Sequence, residues 1–439
     1  MTRRVRMLLA AATLILAAVA LFFFYPASLS PAVPSAGLPT GRALVERGRY
    51  MATAADCAAC HTVPGGKPYA GGLPFKLPFG TLYSSNITPD PEHGIGKWSD
   101  AEFVRAVRHG VAANGQELYP AFPYTAYTNM STDDVLAIRA YLRTLRPLAR
   151  NAPENAIAFP FNMRFVMRGW KLLFMPRTPL ADDPKRSAEW NRGAYLVEGA
   201  GHCAECHSPR NLLFAVKRDQ HLAGALTQGW KAYNITSDPR TGIGNWSSDE
   251  IVRYLQTGHS PGRGAASGSM AEAVSLSTSR LTTSDLRAMA VYLKSVPARA
   301  GKNQPSVHQR VAALDRATLY DPGPSTAQST NDLGLRVFQG TCASCHGWNG
   351  EGLQSGYAAL RGARTVNDPD GDNLIQVILH GSRIETPAEA AAMPNFGKIL
   401  SDAEIAAVSN YVLGHFGGRP PSITPERVAS ARKEGAGHE

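Results

Sequence analysis

Cysteine is scarce in this chain and never stands alone. All six cysteines fall in three copies of one five-residue pattern, so none remains for a disulfide or a stray reactive thiol. Long apolar runs are scarcer still. After residues 7–25 no second stretch is long enough to span a bilayer, which excludes a polytopic membrane protein. Charge of one sign does not gather in blocks. The formal net charge of +10 owes part to Arg3, Arg4 and Arg6, and the remaining basic residues are scattered. Nucleic-acid binding is therefore not expected, while an anionic membrane surface or an acidic partner would suit the balance. There is also no dinucleotide fingerprint, no nucleophile elbow and no other cluster of metal-ligand residues, so nothing resembles a substrate site.

What is present is Cys57-Ala58-Ala59-Cys60-His61, Cys203-Ala204-Glu205-Cys206-His207 and Cys342-Ala343-Ser344-Cys345-His346. C-x-x-C-H is the attachment pattern of a c-type haem. The two thiols add to the porphyrin vinyl groups, and the adjacent His becomes the proximal iron ligand. Three copies, 146 and 139 residues apart (57 to 203, 203 to 342), imply three covalently bound haem c groups. A structural zinc site needs paired knuckles close in sequence, and these spacings are far too long for that.

A length of 439 residues fits about three domains, the same count as the motifs. Residues 1–39 read as an N-terminal anchor or signal segment with a linker. Three arginines precede the uncharged run, and the next charge is Arg42. Nineteen residues (7–25) suffice to cross a membrane, and prolines crowd the place where a small-residue cleavage site would stand. A retained anchor is expected over cleavage. Both readings put the remainder on the periplasmic side of a bacterial inner membrane, where c-type haems are matured. Residues 40–150 form a first haem unit, 151–189 an apolar connector, 190–300 a second unit, 301–330 a linker, 331–418 a third unit, and 419–439 a polar, mobile tail. The connector is dense in Phe, Met, Leu and Trp between Phe159 and Pro176. It reads as a helix packed between two haem units, or as a surface for a partner or the membrane interface.

The first two units share a block. Asn86-Ile87-Thr88-Pro89-Asp90-Pro91 and Gly94-Ile95-Gly96-Lys97-Trp98-Ser99 recur as Asn234-Ile235-Thr236-Ser237-Asp238-Pro239 and Gly242-Ile243-Gly244-Asn245-Trp246-Ser247. The third unit lacks it. Ser99 and Ser247 each open a capping-box helix. The preceding Trp98 and Trp246 are expected to pack in the core or against haem, with donation of an indole N–H to a haem propionate as the sharper reading. Each unit then ends in one helix with apolar spacing i, i+3, i+6, i+7: Val135, Ile138, Tyr141, Leu142; Leu286, Met289, Tyr292, Leu293; Ile405, Val408, Tyr411, Val412. A haem-bearing first helix crossing a terminal helix with a buried Tyr resembles the class I cytochrome c fold. The expected architecture is mainly α, three tandem domains of that kind after the N-terminal segment.

An electron carrier favours a Met thioether opposite the His, because that ligand is soft, stays neutral and raises the potential. Met393, before the last helix of the third unit, and Met270 in the second are the expected sixth ligands of iron. In the first unit the corresponding slot holds Phe122, which cannot bind iron. The one Met between Cys60 and the last helix of that unit is Met130, which also occupies the position of an apolar staple before the helix cap. Met130 is the expected ligand there, with His93, His109 or an open position as the alternatives.

Taken together, the three C-x-x-C-H units, the N-I-T-x-D-P…G-I-G-x-W-S block, Tyr119-Pro120-Ala121-Phe122-Pro123-Tyr124 and Gly268-Ser269-Met270-Ala271-Glu272 resemble the triheme cytochrome c subunit of membrane-bound bacterial dehydrogenases, over residues 40–418. Relatives of that kind serve alcohol, gluconate, sorbitol or fructose dehydrogenases, or molybdenum hydroxylases acting on aldehydes and N-heterocycles. The resemblance implies a catalytic subunit carrying PQQ, FAD or molybdopterin, a small third subunit as a further partner, and ubiquinone in the inner membrane as electron acceptor. It implies an electron-transfer component that is not catalytic alone. Phe122 departs from the A-M-P of many alcohol-dehydrogenase partners and tilts the substrate class toward the other branches. The competing functions are a haem enzyme using an open sixth position at the first haem, and a cytochrome subunit of a terminal oxidase.

Overall fold

The computed structural model describes residues 2–25, 28–301, 330–368, 370–418 and 422–435. Nearly all of the expected linker 301–330 lies outside the described residues. The chain is mainly helical and divides into two compact units, Met1–Ala181 and Asp182–Glu439. The second unit contains both the 203–207 and the 342–346 motifs.

The first unit opens with helix Arg3–Phe24, 22 residues with no buried side chain. At a rise of about 1.5 Å per residue it is long enough for a hydrocarbon core of about 30 Å. Helix Gly41–Ala54 follows, and it crosses helix Thr132–Leu142. Their backbones touch at Gly48, where a Cβ would overlap the carbonyl oxygen of Ala137 and stand 3.0 Å from Tyr141 Cβ. Arg47 Nε reaches Asp134 at 2.8 Å across the same crossing. Helix Asp100–His109, begun by a full capping box of Ser99 with Glu102, packs on Thr132–Leu142.

The connector holds a short helix, Met167–Phe174, whose basic side chains engage the first unit. Lys171 Nζ donates to the carbonyls of His109 (2.6 Å) and Gly110 (2.7 Å) and pairs with buried Glu117, which also takes Arg168 Nε at 3.0 Å. Arg168 Nη1 donates to Phe22 O at 2.8 Å, and the Phe165 ring meets Phe24 at 5.1 Å and Phe23 at 5.9 Å. Its own apolar side chains Phe159, Phe161, Leu172 and Leu173 remain exposed.

The second unit repeats the helix crossing twice. Gly193 in helix Ala188–Tyr195 abuts Ala288 O, and Gly334 in helix Thr330–Val337 abuts Ala407 O. The partner helices are Thr283–Ser295 and Asp402–Gly417, the latter with a capping box of Ser401 and Glu404. Around the last crossing sits a core of Phe338, Leu374, Ile375, Ile405, Leu413 and Phe416. The segments around the two motifs are joined in this unit, not strung apart as tandem beads. Lys231, 7% exposed, reaches Asp368 at 3.0 Å, Asp370 at 2.6 Å and Asp372 at 3.4 Å. Ile384 packs into the apolar cluster of Ala266, Ala271 and Val274, and Tyr357 Oη donates to Thr257 O at 2.8 Å. Burial of these groups from both segments makes separate motion costly.

The stretch after 418 also differs from the expected mobile tail. It carries helix Pro425–Gly435, and Ile423 and Val428 are buried against the core. Two apolar side chains in an otherwise polar stretch, at a spacing the composition does not reveal, tie it down.

Candidate haem-binding sites

Each C-x-x-C-H sequence caps the end of the first helix of a crossing. Cys57–His61 is itself a helical turn after Gly41–Ala54, entered through Asp56 in the left-handed region (φ 51). The other two follow a widened turn of helix, at Leu196–Ala200 and Phe338–Cys342, and continue as Ala204–His207 and Ala343–His346.

The three histidines share one geometry. His61 Nδ1 is 2.6 Å from Ser85 O, His207 Nδ1 is 2.6 Å from Tyr233 O, and His346 Nδ1 is 2.6 Å from Ala358 O. A carbonyl can only accept, so Nδ1 carries the proton and Nε2 keeps its lone pair. Burial holds all three imidazoles below their ordinary pKa, which keeps them neutral. A neutral imidazole with its second nitrogen oriented by a backbone carbonyl is the form a metal ligand takes. Burial also pushes the thiols up, Cys57 and Cys203 to about 12 and Cys342 to about 11. The residues at all three places fit a c-type haem.

The carbonyl anchors escaped sequence reasoning, although a signal for two of them was there. Ser85 and Tyr233 stand immediately before the repeated Asn-Ile-Thr. In that block Asn86 Oδ1 accepts from Thr88 N (2.9 Å) and Oγ1 (2.7 Å), while its Nδ2 donates to Leu148 O (2.8 Å). Asn234 does the same with Thr236, both bonds at 2.8 Å, and with Arg299 O at 2.7 Å. The block ties the anchor loop to the chain leaving the terminal helix. Gly94 and Gly242 permit it, because a Cβ on either would overlap the carbonyl of Thr88 or Thr236. The third motif reaches the same end with Ala358 in a different loop.

The methionines are placed unequally. Met393 lies on a strand, paired with Ser382, in the hairpin Ser382–Glu385 and Ala390–Met393. Met270 sits in the first turn of helix Gly268–Leu276. Both are half-buried at the edge of an apolar cluster. Met130 is 1% exposed, enclosed by protein just before Ser131, which caps helix Thr132–Leu142. Phe122 meets the Tyr127 ring at 5.5 Å, and Tyr127 Oη donates to Ala55 O at 2.7 Å, two residues before Cys57. His93 Nδ1 is engaged by Asp90 at 3.0 Å. Burial, with Arg108 and Lys171 behind it, lowers the pKa of His109. Trp98 is half-buried, and Trp246 is buried with Nε1 lacking a partner among the described residues.

Comparison with known proteins places the chain. The family model for cytochrome c matches residues 45–146, and that for cytochrome c oxidase, cbb3-type, subunit III matches residues 329–412. One of the subunits of nicotinate dehydrogenase from Pseudomonas putida is 43% identical over 403 residues, 90% of this chain; the chain spans only 32% of that relative's length. The fructose dehydrogenase cytochrome subunit of Gluconobacter japonicus is 38% identical over 90% of this chain and 84% of its own length. The gluconate 2-dehydrogenase cytochrome c subunit of Pantoea cypripedii is 37% identical over 89% and 90%.

Proposed function

The chain belongs to the family of cytochrome c subunits of membrane-bound dehydrogenases, and on that premise we propose that it holds three haem c groups and passes electrons from a dehydrogenase catalytic subunit to ubiquinone. The catalytic partner carries PQQ, FAD or molybdopterin, and a small third subunit completes the complex. The observation that carries this reading is the threefold repetition of a neutral histidine held at 2.6 Å through Nδ1 beside a C-x-x-C pair. Haem c, when bound, supplies reversible one-electron chemistry.

The residues of this chain do the positioning. Cys57 and Cys60, Cys203 and Cys206, and Cys342 and Cys345 are the covalent attachment points. His61, His207 and His346 are the proximal ligands, each locked in one tautomer by its carbonyl. Met270 and Met393 are the sixth ligands of the second and third irons, and Met130 that of the first. The three units are class I cytochrome c domains, with the second and third sharing one compact body. Helix Arg3–Phe24 holds the protein at the periplasmic face of the inner membrane, and the exposed Phe159, Phe161, Leu172 and Leu173 of the connector lie against the lipid interface beside its end.

The oxidase likeness covers residues 329–412 alone, whereas the likeness to dehydrogenase subunits covers about nine-tenths of the chain, so a terminal-oxidase role is set aside. A second reading keeps one support. Full enclosure of Met130 suits a staple residue, and Phe122 cannot ligate; the first iron then has an exchangeable sixth position and could act on a small ligand. Purification of the native complex from membranes, identification of its large subunit and a count of covalent haem per chain test the main reading. Rapid stoichiometric binding of CO or cyanide to one haem selects the second, and three low-spin Met/His spectra remove it.

A further inference from the structure

Five residues past the glycine of each helix crossing stands a residue that differs between the three sites: Thr53, Glu198 and Gln339. Thr53 turns back on its own helix and donates to Arg49 O at 2.9 Å. Gln339 is exposed. Glu198 is turned inward, its side chain only 16% exposed. Its Oε1 accepts from Tyr292 Oη at 2.7 Å and from His221 Nε2 at 2.8 Å. Tyr292 is the tyrosine of the terminal-helix face, and its counterparts meet no carboxylate there. Tyr141 faces Tyr69, with ring centroids 6.2 Å apart, and Tyr411 Oη lacks a partner among the described residues.

The chain around His221 is tied to the second motif. Leu222 is fully buried, its N donates to Ser208 Oγ at 2.8 Å, and its carbonyl accepts from Ile235 N at 2.9 Å. Gly224 N donates to His207 O at 2.7 Å. The imidazole is therefore held in place, yet 26% of its side chain stays open to solvent, which gives a proton a way in. The charge of Glu198 is felt at the attachment point: burial first, and Glu198 next, push the Cys203 thiol up. Burial first, and then Glu198, also raise the pKa of the Tyr292 phenol, so it remains a donor across the neutral range. The other charged groups of this corner are Arg218 and Asp219, on the turn before His221, and Arg299, which donates to Arg218 O at 2.6 Å.

We propose that Glu198 and His221 form a proton-binding site coupled to the second haem, with Tyr292 holding the carboxylate anionic. This rests on the haem reading of Cys203 and Cys206. A carboxylate only accepts, so Nε2 of the neutral imidazole carries its hydrogen toward Glu198 and Nδ1 is the basic nitrogen. With His221 protonated the pair is neutral; with His221 neutral one negative charge stands beside the haem attachment point. Histidine changes charge between about pH 5 and 8. A negative charge favours the oxidised iron, so the potential of the second site is higher with the proton bound. Linkage makes the effect reciprocal. One electron arriving from the dehydrogenase subunit draws one proton from water onto Nδ1, and both leave together when the electron passes on. The first and third sites, with Thr53 and Gln339 in the place of the carboxylate, pass electrons without that proton.

The test uses the full-length subunit in its purified complex, with E198Q and H221Q, read by spectroelectrochemical titration between about pH 5 and 8. In wild type one of three midpoint potentials falls with rising pH more steeply than the other two. Both variants flatten that component, at opposite ends. H221Q keeps the low, alkaline value, because Glu198 stays charged without a cation at every pH. E198Q keeps the high, acid value, because the negative charge is gone. A merely structural role does not produce opposite plateaus. No steeper component in wild type, a slope that survives H221Q, or both variants settling at the same end overturns the proposal. If one variant fails to mature, the other decides: a flat component at its stated end supports the site, and a persisting slope overturns it. Mass analysis of the peptide containing Cys203 and Cys206 separates the two ideas. Loss of haem there in wild type defeats the haem reading itself, while haem present with an unchanged slope in the variants defeats the proton site alone.

Discussion

Gly193 lies directly against the carbonyl of Ala288, so close that a Cβ would occupy the oxygen's place, with Tyr292 Cβ only 2.9 Å from the same point. The same contact joins Gly48 to Ala137 and Gly334 to Ala407. Each motif-bearing helix therefore meets its terminal helix backbone to backbone. Gly193→Ala must push the two helices apart. It is expected to lose about 1–3 kcal/mol or more of stability, the usual cost of overpacking. Chemical denaturation of the holoprotein measures this, and an unchanged midpoint would show that the crossing can yield.

Lys231 with its three aspartates locks the two segments of the second unit. Lys231→Met leaves the buried Asp368 without its cation and is expected to cost about 3–5 kcal/mol. A pH signature accompanies it. Burial alone would lower the Lys231 pKa, but the charges of Asp368, Asp370 and Asp372 outweigh it and raise the net value. A lysine whose folded pKa is raised contributes stability that is full below the unfolded value of about 10.4 and is lost as pH rises through the folded value. The stability difference between wild type and Lys231→Met should therefore shrink in the alkaline range. A difference that grows above about pH 10 would contradict the assignment.

Glu117 is 5% exposed and receives both Arg168 and Lys171 from the connector helix. Glu117→Gln leaves two cations facing a neutral amide. Release of residues 167–174 is expected, at a cost of about 3 kcal/mol. Hydrogen exchange in that segment should speed up without change at the three motifs. Because the connector also touches Phe22 through Arg168, the variant should wash from membranes more readily if helix Arg3–Phe24 is retained.

Met270→Ala and Met393→Ala are each expected to lower one haem potential, with covalent haem kept, because a thioether raises the potential of a His-ligated iron. Met130→Ala separates the readings of the first site. A third lowered potential assigns it as ligand; unchanged spectra and potentials with a loss of about 2–5 kcal/mol assign it to the core.

Asn234 supports the Tyr233 carbonyl through bonds to Thr236, Thr241 and Arg299. Asn234→Ala should cost about 1–3 kcal/mol by leaving buried donors unsatisfied and should broaden the spectrum of one haem only. Equal disturbance of all three would place the effect in global stability.

Much of this protein was legible before any fold was known. The motifs carry their chemistry in five residues, because attachment and proximal ligation are local. The capping serines Ser99, Ser247 and Ser401 and the helix faces beginning at Val135, Leu286 and Ile405 were readable for the same reason: hydrogen bonds and apolar spacing within one turn or two determine them. The family likeness followed from the same residues.

Contacts between distant segments were not legible. The Nδ1 anchors at Ser85, Tyr233 and Ala358 are main-chain carbonyls, which any residue type can supply. The joining of the second and third segments depends on Lys231 meeting Asp368, 137 positions away. Arg364 likewise donates to the Thr241 carbonyl, 123 positions away. The sequence by itself determined where the three C-x-x-C-H motifs stand and which helices frame them; only the tertiary structure decided which carbonyl orients each histidine and which segments share a body. Those depend on long-range packing, and on burial that alone turns an ordinary Lys or Arg into a costly, partner-seeking charge.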